Sequence, residues 1–334
     1  MSYNSIKHQL SVVLNSYSEL FFMQGATKYG LIILLISLLN INCALSGLIA
    51  LVAAYAFASF IGFNKEFLAS GFYTYNPILV GLSIGSIFTI TPLTLFFIVI
   101  AGILAFVITV VLAQIFYQYL GIGVLSLPFV IVSSLLYLAM VSYSNLYVVE
   151  LSSYLISTDL DRYLPVWLVG LAKSLGAIVF MPYTISGLLL LLLLAFTSQL
   201  MAILAVAGYF IGVLITASFT GNYIQAFLDV NNFNYILIAI SLGCIFLAPS
   251  VRSYLIAAIG VALATSLVAG VKVFWSYYGI PAFTLPFNII TLSFLYLLRI
   301  VKYPDLPIIY KATPEATQDH FITNKFRFGQ YDTT

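Results

Sequence analysis

The chain has 334 residues, 63% hydrophobic and 7% charged, with a formal net charge of +2 and a mean hydropathy of +1.12. A soluble domain carries about 25% charged residues, so a water-covered globule is excluded, and the absence of a basic cluster argues against nucleic-acid binding. Continuous apolar runs such as LTLFFIVIAGILAFVITVVLAQIF and LMAILAVAGYFIGVLITASF lack the alternation of a membrane β-barrel. They approach or exceed the roughly 20 residues that cross a bilayer, which makes the fold class an all-α polytopic membrane protein.

In chain order, the first 18 residues are mildly polar and lack the basic start, apolar block and cleavage site of a signal peptide. A segment near 10–24 is too short and too mixed to span, and it reads as a re-entrant half-helix. Pro, Gly and polar clusters then bound five predicted spans, near 28–41, 43–62, 66–89, 92–119 and 124–143. A polar linker, 144–164, holds Glu150, Asp159, Asp161 and Arg162. The plan recurs with a segment near 165–181 and spans near 186–198, 200–219, 222–247, 250–277 and 281–301, before a charged tail, 302–334. Cys43 and Cys244 lie in apolar segments and read as small buried hydrophobes.

The two halves, 1–143 and 165–301, align without a gap at an offset of 158. GFYTYNPILVGLSIGSIF (71–88) lies over DVNNFNYILIAISLGCIF (229–246), Phe22-Met23 over Phe180-Met181, and Leu127-Pro128-Phe129 over Leu285-Pro286-Phe287. Three separated matches at one offset indicate an internal duplication. Five crossings per half is an odd number, so the second half enters from the opposite side, giving an inverted repeat with its path at the interface of the halves. Arg299, Lys302, Lys311, Lys325 and Arg327 flank or follow the last span, Lys7 precedes the first, and the linker's only basic residue is Arg162. The positive-inside rule predicts cytoplasmic termini and an extracytoplasmic linker, in a cell membrane.

His8 and His320 are both terminal, which disfavours a histidine-lined ammonia conduit. Between residues 30 and 300 the acids are Glu66, Glu150, Asp159, Asp161 and Asp229, mostly at span ends or in the linker. Ion-coupled transporters place ionisable groups at mid-membrane depth, so the pattern favours a passive path for an uncharged solute. No nucleotide loop, metal-ligand cluster or nucleophile–base pair stands out, so neither an enzyme nor a metal or other cofactor is expected.

Three constellations carry the candidate chemistry. Pro128 and Pro286 read as helix-internal prolines that free the carbonyls of Val124 and Ala282. Five residues later come Ser133 and Thr291, predicted to approach each other near the membrane centre; the alternative is a kinked helix with hydroxyls satisfied by their own backbone. Tyr75 with Leu79, and Phe233 with Leu237, share a helical face at i and i+4 and suggest a flat apolar slot. Ordinary packing, with Asn76 and Asn234 as interhelical hydrogen-bonding groups, is the other reading. Glu19 and its neighbours lie over Ala177-Ile178-Val179-Phe180 in the opening segments, where Glu19 is either a buried filter carboxylate or an interfacial helix end.

The SELFF segment, GFYTYNPILVG, the doubled LPF phrase with its following hydroxyl, and NIITLSFLYLL together resemble the urea transporter family over about residues 10 to 310. The resemblance implies a channel-like urea transporter with ten crossings, two re-entrant helices and a homotrimer with one pore per subunit. It implies slot residues Tyr75, Leu79, Phe233 and Leu237, half-helix residues Leu20, Phe22, Ile178 and Phe180, central hydroxyls Ser133 and Thr291, and Glu19 near the filter. Urea is planar and neutral, and acceptors in a row would replace its water while the walls contact its faces. Three departures stand out: Ala177 where a polar residue is expected opposite Glu19, Ser133 where threonine is usual, and DVNNFN in place of a glycine-rich lead. They leave open short amides, water or ammonia as solutes, and an ion-coupled secondary transporter as a more distant alternative.

Overall fold

The computed structural model describes residues 3–141 and 160–301. The linker acids Glu150 and Asp159, His320 and the tail residues Lys302, Lys311, Lys325 and Arg327 lie outside them. The described residues are helical, with no strand among them. In chain order they form α1 (Tyr3–Glu19), α2 (Thr27–Ser37), α3 (Ile41–Phe60), α4 (Lys65–Ala69), α5 (Tyr75–Gly85), α6 (Pro92–Ile115) and α7 (Leu127–Val141). Then come α8 (Val166–Ala177), α9 (Thr184–Thr197), α10 (Gln199–Thr220), α11 (Tyr223–Leu228), α12 (Phe233–Ile240), α13 (Val251–Ser276) and α14 (Leu285–Val301).

Among the described residues, four stretches are long and apolar enough to cross a membrane: Ile41–Phe60, Pro92–Leu120, Gln199–Thr220 and Val251–Ser276. Their outward faces carry exposed Val52, Phe96, Val111, Ile203, Leu255 and Leu263, as lipid contact requires. The chain is a polytopic α-helical membrane protein.

Helix ends recur at the 158-residue spacing because their capping chemistry recurs. Asn40 accepts from Cys43 N at 3.2 Å, and Ser198 accepts from Met201 N at 3.3 Å. Asn64 and Asn222 cap α4 and α11 in the same way. Each cap satisfies a backbone N–H that the first helical turn leaves orphaned. Interior packing depends on missing side chains: a Cβ on Gly102 would meet the backbone of Ala50, so α6 lies directly against α3.

Three predicted features are corrected. The spans near 66–89 and 222–247 are each broken. Between α4 and α5, Gly71 turns at φ +82 with the backbone of Asn15 where a Cβ would sit. Between α11 and α12 a short 3₁₀ turn, Val230–Asn232, is capped by Asp229, which accepts from Asn231 N at 2.9 Å. Pro128 and Pro286 do not interrupt helices. They stand at the second position of α7 and α14, where no helical N–H is owed and a fixed φ favours initiation. The kinked-helix reading goes with them.

Candidate functional site

The breaks and helix starts converge on one region. After α1, the chain turns through Phe22 at φ +60; after α8 it turns through Phe180 at φ +62. Met23 N donates to Ser18 O at 3.1 Å and Met181 N to Gly176 O at 2.9 Å, so both turns have the same hydrogen-bonded form. A left-handed backbone costs a non-glycine residue about 1–2 kcal/mol. Bearing that cost at both copies places a phenylalanine ring just beyond each helix end. Phe22 packs on Phe246 and Phe287 at centroid distances of 5.9 and 6.3 Å; Phe180 packs on Phe129 and Phe283 at 5.8 and 6.3 Å.

Two cavities flank these rings. The larger, about 290 Å³, is lined by Leu79, Phe129, Ala177, Ile178, Phe180, Phe233, Phe283 and Thr284 among others. The smaller, about 40 Å³, is lined by Glu19, Phe22, Gln24, Phe72, Tyr75, Gly123, Leu125, Ile245 and Phe246. Eight pairs of lining positions correspond at the repeat spacing, including Glu19 with Ala177, Phe22 with Phe180, Tyr75 with Phe233 and Leu125 with Phe283. A carboxylate and a tyrosine on the small side therefore correspond to an alanine and a phenylalanine on the large one. Tyr75 lines the small cavity and Leu79 the large, although only one turn of α5, about 6 Å of rise, separates them. The barrier between the cavities is thin.

Ser126, next to the small-cavity residue Leu125, and Thr284, on the large cavity, bring Oγ and Oγ1 to 2.7 Å. These are equivalent positions of the two halves, directly before the LPF phrases. Asn76 and Asn234 brace this point from α5 and α12. Asn76 Nδ2 donates to Leu125 O at 3.3 Å and its Oδ1 accepts from Phe129 N at 3.3 Å. Asn234 Nδ2 donates to Phe283 O at 3.2 Å and its Oδ1 accepts from Phe287 N at 3.1 Å. Each asparagine holds a residue of positive φ (Leu125 or Phe283) and satisfies an orphan N–H in the first turn of α7 or α14. Tyr75 OH also donates to Leu125 O.

The structure brings Leu79, Ile178, Phe180 and Phe233 together in the large cavity and Glu19, Phe22 and Tyr75 in the small one. Leu20 and Leu237 line neither, yet they keep 6% and 4% of their surface while the adjacent Phe21 and Ile236 keep 1% and 0%. Ser133 and Thr291 sit elsewhere: each bonds a serine of its own half, Ser83 at 3.3 Å and Ser241 at 3.2 Å, and they retain 1% and 0% exposure. Ser126 and Thr284, at 7% and 9%, are the hydroxyls that meet across the halves. The sequence signal for them is a hydroxyl two positions before each proline, repeated 158 residues apart.

Glu19 is the charged residue in the lining of these two cavities, and two ion pairs lie outside them. Asp229 pairs with Lys272, and Asp161 pairs with Lys173 at 2.5 Å. None of these four residues lines either cavity. The family model described as urea transporter matches residues 10–299.

Proposed function

We propose that this chain, which belongs to the urea transporter family, conducts urea passively through a narrow path between two inverted repeats. The observation that carries the reading is the pair of cavities lined by equivalent residues of the two halves, together with the Ser126–Thr284 contact that joins equivalent positions beside them. A two-fold axis in the membrane plane relates such positions and brings an equivalent pair face to face on the axis. The reciprocal ring contacts, Phe22 with Phe287 and Phe180 with Phe129, fit the same axis.

In this reading a urea molecule loses water at Glu19 or at the large cavity and slides between Phe22 and Phe180. Tyr75, Leu79, Phe233 and Leu237 contact its faces, as do Leu20 and Ile178 from the half-helix ends. The hydroxyls of Ser126 and Thr284 exchange hydrogen bonds with it at the narrowest point. Ser133 and Thr291 support this point from behind, through Ser83 and Ser241. Shallow sites in series let the solute enter and leave, as conduction requires. Passive conduction is further supported by the ionisable groups: among the described residues none of the fully buried side chains is Asp, Glu, Lys, Arg or His. The assembly in this reading is a homotrimer in the cell membrane with both termini cytoplasmic.

Proteoliposomes holding the purified chain are expected to equilibrate urea faster than empty liposomes, with no dependence on a proton or sodium gradient. Equal rates would remove the transport reading, and collapse on dissipating a gradient would replace it with coupled transport. Ala177 and the larger volume on its side favour short amides such as acetamide as additional cargo.

A further inference from the structure

Asn288 has no polar counterpart: the equivalent position of the first half is Val130. Its side chain is fully buried, at 0% exposure. Asn288 Nδ2 lies 3.1 Å from Ser126 Oγ, 3.2 Å from Thr284 Oγ1 and 2.8 Å from Thr284 O. Its Oδ1 is buried without a hydrogen-bond partner. A buried amide with one open acceptor is an expensive residue to keep in an apolar interior, and packing does not demand it, since valine fills the equivalent site.

Counting donors and acceptors gives its consequence. Each hydroxyl oxygen has two lone pairs and one proton. Within the Ser126–Thr284 pair one hydroxyl donates to the other, which leaves three lone pairs and one O–H. The Asn288 amide has two N–H groups for three acceptors; with one on Thr284 O, the other takes one of those lone pairs, on whichever hydroxyl oxygen it reaches. The pair then presents two acceptors and one donor, matched to a solute that carries N–H groups beside a carbonyl. Because either hydroxyl can be the donor, the pair can reverse as the solute passes.

We propose that Asn288 is a positioning residue that sets the donor–acceptor balance of the Ser126–Thr284 pair and so selects for solutes of the amide class. This rests on the pathway proposed above. Urea and thiourea share shape and N–H donors but differ in acceptor strength, so their permeability ratio reads the balance directly. In proteoliposomes of the full chain, measured by stopped-flow light scattering, Asn288→Val is expected to lower the urea-to-thiourea ratio about fivefold, the loss of one modest hydrogen bond. The double variant Val130→Asn with Asn288→Val moves the amide to the equivalent site and is expected to restore the ratio. Asn288→Ala gives the same reading if the valine variant assembles poorly. An unchanged ratio in the single variant overturns the proposal, whether or not both fluxes fall, and so does failure of the swap to restore it. Wild-type liposomes no more permeable to urea than empty ones would instead sink the transport reading itself.

Discussion

Replacing Asn234 with leucine tests how the barrier is held. The substitution keeps a similar branched shape and removes both hydrogen-bonding groups. In the native chain Asn234 holds the Phe283 carbonyl at 3.2 Å and the Phe287 N–H at 3.1 Å, and all three residues are buried. Each buried group left unsatisfied costs about 1–3 kcal/mol, so Asn234→Leu is expected to destabilise the protein by about 2–6 kcal/mol on the same scale. Asn76→Leu is the internal control. The Leu125 carbonyl still accepts from Tyr75 OH, leaving only Phe129 N–H exposed to loss, and the expected cost is about 1–3 kcal/mol. Denaturant unfolding of both variants in the same detergent, followed by tryptophan fluorescence or circular dichroism, gives the two differences side by side. Equal losses, or a larger loss for Asn76→Leu, would refute the claim that Tyr75 shares the work in the first half. Adding Tyr75→Phe to Asn76→Leu should bring the first half to the level of the second.

Ala177→Leu places bulk in the 290 Å³ cavity and is expected to slow acetamide severalfold while slowing urea less, measured as paired permeabilities of one liposome preparation. Lys272→Met breaks the ion pair with Asp229, whose side chains are 42% and 23% exposed. A pair this wet contributes about 0–1 kcal/mol, and Asp229 keeps its bonds to Asn231. Unfolding and urea flux should therefore both stay close to wild type.

Composition and the length of the apolar runs were enough to determine the class, because lipid leaves a chain no alternative to satisfying its backbone internally. The 158-residue alignment was legible too, and the positions it pairs are the positions that line the two cavities. Phe22 and Phe180 could be singled out as a pair, although their left-handed backbone could not. What the linear pattern hid was the role of the prolines and of the hydroxyls around them. A proline in an apolar run reads as an interruption until it is known where the helix starts, and that start is decided by Asn76 and Asn234, about 50 residues upstream of each proline. With their amides holding the turns at Leu125 and Phe283, Pro128 and Pro286 fall in the first turn, and the hydroxyls before them are brought face to face. Asn288 became visible as a functional candidate only then. Its sequence position marks a polar residue in a span, but its donors converge on two hydroxyls from different halves, a geometry that exists only once the halves pack.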